Sequence, residues 1–189
     1  KMCGSGMKAV MLAHDQIHAG SSSIVVAGGQ ESMTNAPYLL PRARSGLRLG
    51  HADVIDHMFL DGLEDAYEPG RLMGSFAEDC ADHYSFSRED QDDYAIESLT
   101  RATEAIESGA FASQITRVTV NTRRGDVTVD TDEEPQTANI EKIPQLKPAF
   151  RKGGTVTPAN SSSISDGAAA LVLMRLSEAE RGGHVPLAK

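Results

Sequence analysis

Between Ser5 and Gly29 the sequence passes straight from a helical period into a β-branched run, and this succession constrains the fold more than any other feature. Met7, Val10, Met11, Ile17 and the intervening alanines recur at helical spacing from Ser5 to about His18, with Gly20 placed to end the helix. Ser23-Ile24-Val25-Val26-Ala27, closed by Gly28-Gly29, then reads as a short strand buried on both faces. Turn, helix and strand in that order are the grammar of an α/β layer. Near the other end, the small-residue stretch from Asn160 to Gly167 feeds a second apolar run, Ala168 to Met174, expected as another buried strand. With 189 residues, 40% of them hydrophobic, the chain can bury the core of one good-sized domain, or of a domain with a substantial excursion.

The middle has a different texture. Pro37, Pro41, Arg42, Arg44, Gly46, Arg48 and Gly50 form a basic stretch without a sustained period, expected as an extended loop. Its arginines suit a solvated loop, an assembly loop or contact with an anionic ligand. Short helices are expected around 54–65 and 74–84. Ser87 with Asp90 resembles a capping box, followed by a stripe of Tyr94, Ala95, Leu99, Ala102 and Ile106 that ends at Gly109. Alternation over 115–120 and 127–130, with a turn at Gly125-Asp126, predicts a hairpin. The acidic segment 130–148 is expected as an irregular surface connection.

A net charge of -9 argues against a nucleic-acid groove, because phosphate binding draws on clustered Lys and Arg. Cys3 and Cys80 lie far apart without CxxC spacing, so neither a disulfide framework nor a zinc knuckle is indicated, and a reducing setting fits best. No apolar run reaches the roughly 18 residues of a membrane span. The first residue is lysine, which leaves open the loss of a leader. His14 and His18 have i, i+4 metal-ligand spacing, but no HExxH pattern or third ligand accompanies them, and no metal site is expected. Asp61, Glu64, Asp65 and Glu68 read as a solvated helix face, and Cys80 as core. The serines at 161–163 with Asp166-Gly167 suit either a ligand edge or a plain turn-rich loop.

Cys3 stands apart. Gly4 and Gly6 permit a tight turn and close backbone approach, and a helix begins at once. A thiol there meets the unpaired N–H groups and positive dipole end that favour negative charge, a place for a nucleophile; the alternative is a small buried hydrophobe.

These motifs together resemble the thiolases. Met2-Cys3-Gly4-Ser5-Gly6-Met7-Lys8-Ala9-Val10 is similar to the family's nucleophile segment, and Val26-Ala27-Gly28-Gly29-Gln30-Glu31-Ser32-Met33 to its GGMESM signature. Asp61-Gly62-Leu63, Met73-Gly74, Ala77-Glu78, Pro148-Ala149-Phe150, Gly154-Thr155-Val156-Thr157 and Asn160-Ser161-Ser162 follow in family order, so the resemblance spans essentially the whole chain. Three positions depart from it: Gln30 for the usual methionine, Pro158 where alanine is frequent, and Leu72 where short-chain biosynthetic members often carry histidine.

The resemblance implies a thiolase-like layered α/β core, incomplete at its N-terminal domain, with an inserted α+β loop domain. Residues 1–33 would supply nucleophile turn, helix and strand of the core; 34–160 a CoA-binding loop domain with a basic tetramerisation loop at 37–50; and 161–189 the return to the core. Cys3 would be the acyl-accepting nucleophile, with Leu63, Met73, Phe150, Ser162 and Ile164 around the CoA. The implied reaction is acyl transfer between CoA thioesters, as Claisen condensation or thiolysis, in biosynthesis or in degradation of 3-ketoacyl-CoA. CoA and acyl-CoA are then substrates and no cofactor is held permanently. A homotetramer or homodimer is implied, with a cytoplasmic setting of bacterial type, mitochondrial and peroxisomal placement remaining open.

The family's NEAFA, GHP and CxGxG segments do not occur in the 189 residues, and the expectation is an internal fragment of an enzyme about twice as long, inactive alone. Other possibilities are a ketoacyl-synthase-type condensing enzyme, a cysteine hydrolase and a non-catalytic CoA-binding or assembly module. The hydrolase would need a base, for which neither His14 nor His184 is well placed.

Overall fold

A computed structural model describes residues 1–189. The chain forms two compact units, one of residues 1–71 with 164–189 and one of residues 72–163.

In the first unit, helix α1 (Ser5–His18) packs on strand β1 (Ile24–Glu31), which pairs antiparallel with β6 (Gly167–Met174) from Ile24↔Met174 to Glu31↔Gly167. Ala13 and Ile17, one helical turn apart, are buried with Ala27 of β1. The C-terminus of α1 is held by Arg175, whose Nη2 and Nε donate to the Ile17 carbonyl at 2.8 and 3.3 Å, a cation placed at the negative end of the helix beside a carbonyl that also accepts the Gly20 N–H. A short helix, α5 (Leu176–Arg181), follows β6 and buries Ala179. The strands differ from the expectation of burial on both faces. Val25 and Ala27 face α1, whereas Ile24 and Val26 are 58% and 68% exposed, and Leu171 and Val172 of β6 are exposed as well. A two-stranded sheet with one covering helix has only one buried face.

Also in the first unit, the two-residue strands β2 (Tyr38–Leu39) and β3 (Ile55–Asp56) pair antiparallel across the irregular basic stretch. Phe59–Leu63 is a single π turn rather than a longer helix.

In the second unit, α2 (Met73–Tyr84) buries Glu78 and Ala81. Cys80 is exposed, contrary to its expected place in the core, because it lies off that face. Helix α3 (Arg88–Glu107) starts at a complete capping box: Asp90 N–H donates to the Ser87 hydroxyl at 3.0 Å, and Ser87 N–H to the Asp90 carboxylate at 3.0 Å. Ala95, Leu99, Ala102 and Ile106 are half-buried, but Tyr94 is 80% exposed and leaves the stripe. Strands β4 (Val118–Thr122) and β5 (Gly125–Val129) make the hairpin, with its turn at Arg123-Arg124 and Gly125 already in β5.

The segment 130–148 is more ordered than its composition implies. It contains α4 (Glu133–Thr137) and a 3-10 helix, Ile140–Gln145, with Ile143 buried. Arg88 Nη2 fastens it by donating to the carbonyls of Ile143 and Leu146, both at 3.0 Å.

Candidate active site

Cys3 lies immediately before α1 and its thiol is free and exposed. Gly4 occupies the N-cap and no side chain caps the helix, so the first-turn N–H groups are not taken up by a capping side chain. Glycine eases the close approach where α1 meets β1: a Cβ on Gly29 would sit 3.3 Å from the Gly6 Cα, a tight contact. One residue earlier, a Cβ on Gly28 would come 2.0 Å from the carbonyl oxygen of Ala169 in β6. Close approach at these two glycines sets the start of α1, and Cys3 with it, on the ends of the paired strands.

The result is a cleft of about 1020 Å³ within the first unit. Its walls come from Cys3 just before α1, from Gly6 and Val10 on α1, from the glycines of β1, from Ala168 and Ala169 on β6, and from His57, Asp61 and Leu63 around the π turn. Cys3 and Leu63 both line this one cleft.

The other expected ligand residues lie elsewhere. Ile164 is an exposed residue of the first unit, 59% accessible. Met73, Phe150 and Ser162 belong to the second unit. Met73 opens α2, and the Phe150 ring rests on the backbone of neighbouring Gly74, where a Cβ would lie 2.2 Å from the ring. Ser162 is exposed; its neighbour Ser161 donates its hydroxyl to the Thr157 carbonyl at 2.7 Å, and Ser163 donates to Glu134 at 3.0 Å. Those two hydroxyls thus have protein partners, and Asp166 closes a loop. Its carboxylate accepts the Thr34 N–H at 2.9 Å and the Ser32 hydroxyl at 3.1 Å, hydrogen bonds that hold it below the usual aspartate range.

His57 is the residue that sequence reasoning missed. Its Nε2 lies 2.8 Å from the Asp61 carboxylate, and its backbone N–H donates to the Pro37 carbonyl. Both side chains line the cleft that contains Cys3. The signal was available in their i, i+4 spacing within a segment of helical pattern. His14, by contrast, is on the exposed face of α1, its Nδ1 beside Asp15.

A two-layer α/β unit that presents a free thiol at a helix start, over a cleft lined mostly by small and apolar residues, defines the class of protein. Residues 1–177 match the family model described as thiolase, N-terminal domain. The acetyl-CoA acetyltransferase of Pseudomonas aeruginosa is 47% identical over 191 residues, covering 100% of this chain and 48% of that protein. That of Cupriavidus necator is 48% identical over 190 residues, again 100% of this chain and 48% of its own. The crystal structure of the Bacillus anthracis acetyl-CoA acetyltransferase superposes with a TM-score of 0.89 at 44% identity, over 98% of this chain and 47% of that one. The chain belongs to the thiolase family, with its α/β fold, and spans about half the length of the curated relatives it matches.

Proposed function

We propose that this chain carries the nucleophile and part of the CoA site of an acetyl-CoA acetyltransferase. The observation that supports this most directly is the free thiol of Cys3 at the start of α1, on the wall of the 1020 Å³ cleft. The Cys3 thiolate attacks the thioester carbonyl carbon of an acyl-CoA. A new C–S bond forms, the bond to CoA breaks, and CoA departs as a thiolate that takes up the proton Cys3 lost. The acyl–Cys3 C–S bond then breaks as the acyl carbon bonds to the α-carbon of a second acyl-CoA, or to CoA sulfur in the thiolytic direction, and the proton lost by that nucleophile is returned to the released Cys3 sulfur. Splitting the transfer in this way replaces one difficult step by two easier ones.

Leu63 on the cleft wall is proposed to contact CoA with Met73 and Phe150, all three within a loop domain over 34–160, and with Ser162 and Ile164, where the chain returns to the core. The basic stretch 37–50 is proposed for assembly into a dimer or tetramer in a cytoplasmic setting. Turnover also needs groups that move protons at each substrate. The family segments that would supply them do not occur in the 189 residues, so we expect acylation of Cys3 without repeated turnover by this chain alone.

The test is incubation with acetyl-CoA followed by mass spectrometry of the Cys3 peptide. An acetyl adduct on the wild type that is absent from Cys3→Ala supports the covalent role. Acetyl-CoA bound at full occupancy without any adduct on Cys3 refutes it. For the ligand wall, Phe150→Ala is expected to weaken CoA binding by about 1–3 kcal/mol, the loss of most of an aromatic contact.

A further inference from the structure

Helix α2 presents Gly74, Glu78 and Asp82 at i, i+4 and i+8, a single stripe along one face, and every member of it touches the segment 150–156. We infer that this stripe is the device that sets the Phe150 ring for CoA, and that Glu78 is its positioning residue. The inference rests on the assignment of Phe150 to the CoA site.

Glu78 is 1% exposed, which is an expensive place for a carboxylate unless its oxygens are satisfied. Here they are. Oε1 accepts the backbone N–H of Thr155 at 3.0 Å and of Val156 at 2.9 Å. Oε2 accepts Thr155 N–H at 2.9 Å and its hydroxyl at 3.3 Å, with Arg151 Nη2 at 3.5 Å. The approach is so close that a Cβ on Gly154 would stand 2.2 Å from Oε1. No residue but glycine leaves room for the carboxylate there.

This grip reaches Phe150 from both sides. On one side, Val156, whose N–H is held by Glu78, accepts the N–H of Ala149 at 2.9 Å. On the other, Arg151 makes a two-pronged pair with Asp82, Nη1 to Oδ2 at 2.7 Å and Nη2 to Oδ1 at 3.0 Å. The residue between these anchors lays its ring on Gly74, where any side chain would collide with three ring carbons at 2.2–2.3 Å. Phe150 nevertheless remains 38% exposed. An irregular loop has no ladder to fix its backbone, so the direction of its one large aromatic side chain depends on these contacts. A carboxylate that takes two consecutive N–H groups fixes that direction in a way an apolar side chain of equal volume cannot.

The experiment is a double-mutant cycle on CoA affinity, measured by calorimetry with the wild type, Glu78→Gln, Phe150→Ala and the combination, alongside their thermal unfolding. Glutamine keeps the shape but turns one acceptor into a donor facing backbone N–H groups. Each single variant is expected to bind CoA at least roughly fivefold more weakly, and Glu78→Gln is expected to add less than about twofold once Phe150 is already gone. Gly74→Ala serves as a second variant if Glu78→Gln does not fold. Alanine favours helix, so its effect falls on the ring, and it too should lose its effect in the Phe150→Ala background. Independent, multiplying losses overturn the inference while leaving Phe150 in the site. Equal CoA affinity of the wild type and Phe150→Ala removes Phe150 from the site, and the inference with it.

Discussion

Replacing Asn160 by aspartate changes almost no volume, yet the structure makes it a severe perturbation. The Asn160 side-chain amide donates from Nδ2 to the carboxylate of Asp92 at 3.1 Å and to the Thr155 carbonyl at 3.0 Å, while its Oδ1 accepts the Thr157 N–H at 2.7 Å. Asp92 is 4% exposed and paired with Arg88 Nε at 2.6 Å. In Asn160→Asp the donor becomes an acceptor, and two carboxylates face each other across a gap of 3.1 Å. At an effective dielectric constant of roughly 20, such a pair repels by about 5 kcal/mol, part of it offset by Arg88. The cheaper escape is uptake of a proton. Raising a carboxyl from about 3.9 to near neutrality costs about 1.36 kcal/mol per unit over roughly three units, or about 4 kcal/mol at neutral pH. The less costly route prevails, and with about 1 kcal/mol for the lost hydrogen bond to Thr155 the expected destabilisation at neutral pH is about 5 kcal/mol.

The pH dependence identifies the cause. The introduced carboxyl titrates higher in the folded protein than in the unfolded chain, so the folded state binds more protons across the interval between the two values. Stability of the variant should rise as pH falls from neutrality towards about 4, and its deficit against the wild type should shrink to about 1 kcal/mol, the hydrogen bond to Thr155 that stays lost. Urea unfolding at neutral pH and near pH 4.5 measures both quantities. A deficit below about 1 kcal/mol at neutral pH, or one of the same size at both, refutes the picture of two opposed carboxylates.

Other expectations follow from single contacts. Ser87→Ala removes one half of the capping box on α3 and should cost about 1 kcal/mol in chemical denaturation. Gly28→Ala forces a Cβ to within 2.0 Å of the Ala169 carbonyl oxygen, a backbone atom that cannot swing aside; a loss of about 1–3 kcal/mol or more, with faster amide exchange across β1 and β6, is expected. The Asp166 carboxylate, held below 3.8 by Thr34 and Ser32, contributes stability that is fully present above the unfolded value and is lost as pH falls through the folded one. Thermal unfolding of the wild type should therefore decline below about pH 4 more than that of Asp166→Asn, and parallel declines would contradict the assignment.

Regular elements were legible because their signals are local. The capping box at Ser87 and the four half-buried positions of α3 follow from spacing alone, as does the run from α1 into β1. Failures came where a signal had two physical meanings. An apolar strand pattern does not say how many layers cover it, and here α1 covers one face while Ile24 and Val26 stay exposed. Cys80 and Tyr94 have the chemistry of core residues but lie off the faces their helices bury. His57 was passed over because its place beside Cys3 depends on a fold that brings the segment from β3 to the π turn to the same cleft.

The least legible feature was the polar interior of the second unit, and there is a physical reason. Its buried polar residues are Glu78, Asp92 and Thr157, which a pattern of apolar residues assigns to the surface. The segment 147–161 contains no helix or strand, so those of its backbone N–H groups that find no partner within it need one from outside the segment. The helices supply them as side chains: Glu78 takes the N–H groups of Thr155 and Val156, while Gln91 reaches the Thr155 hydroxyl at 2.9 Å. Asp92 in turn anchors the amide of Asn160, which occupies the Thr157 N–H and the Thr155 carbonyl. Acids on α2 and α3 thus replace the missing ladder of an irregular segment. In sequence they are indistinguishable from solvated helix charges, because what separates them is the number of unpaired backbone donors that the fold sets opposite them.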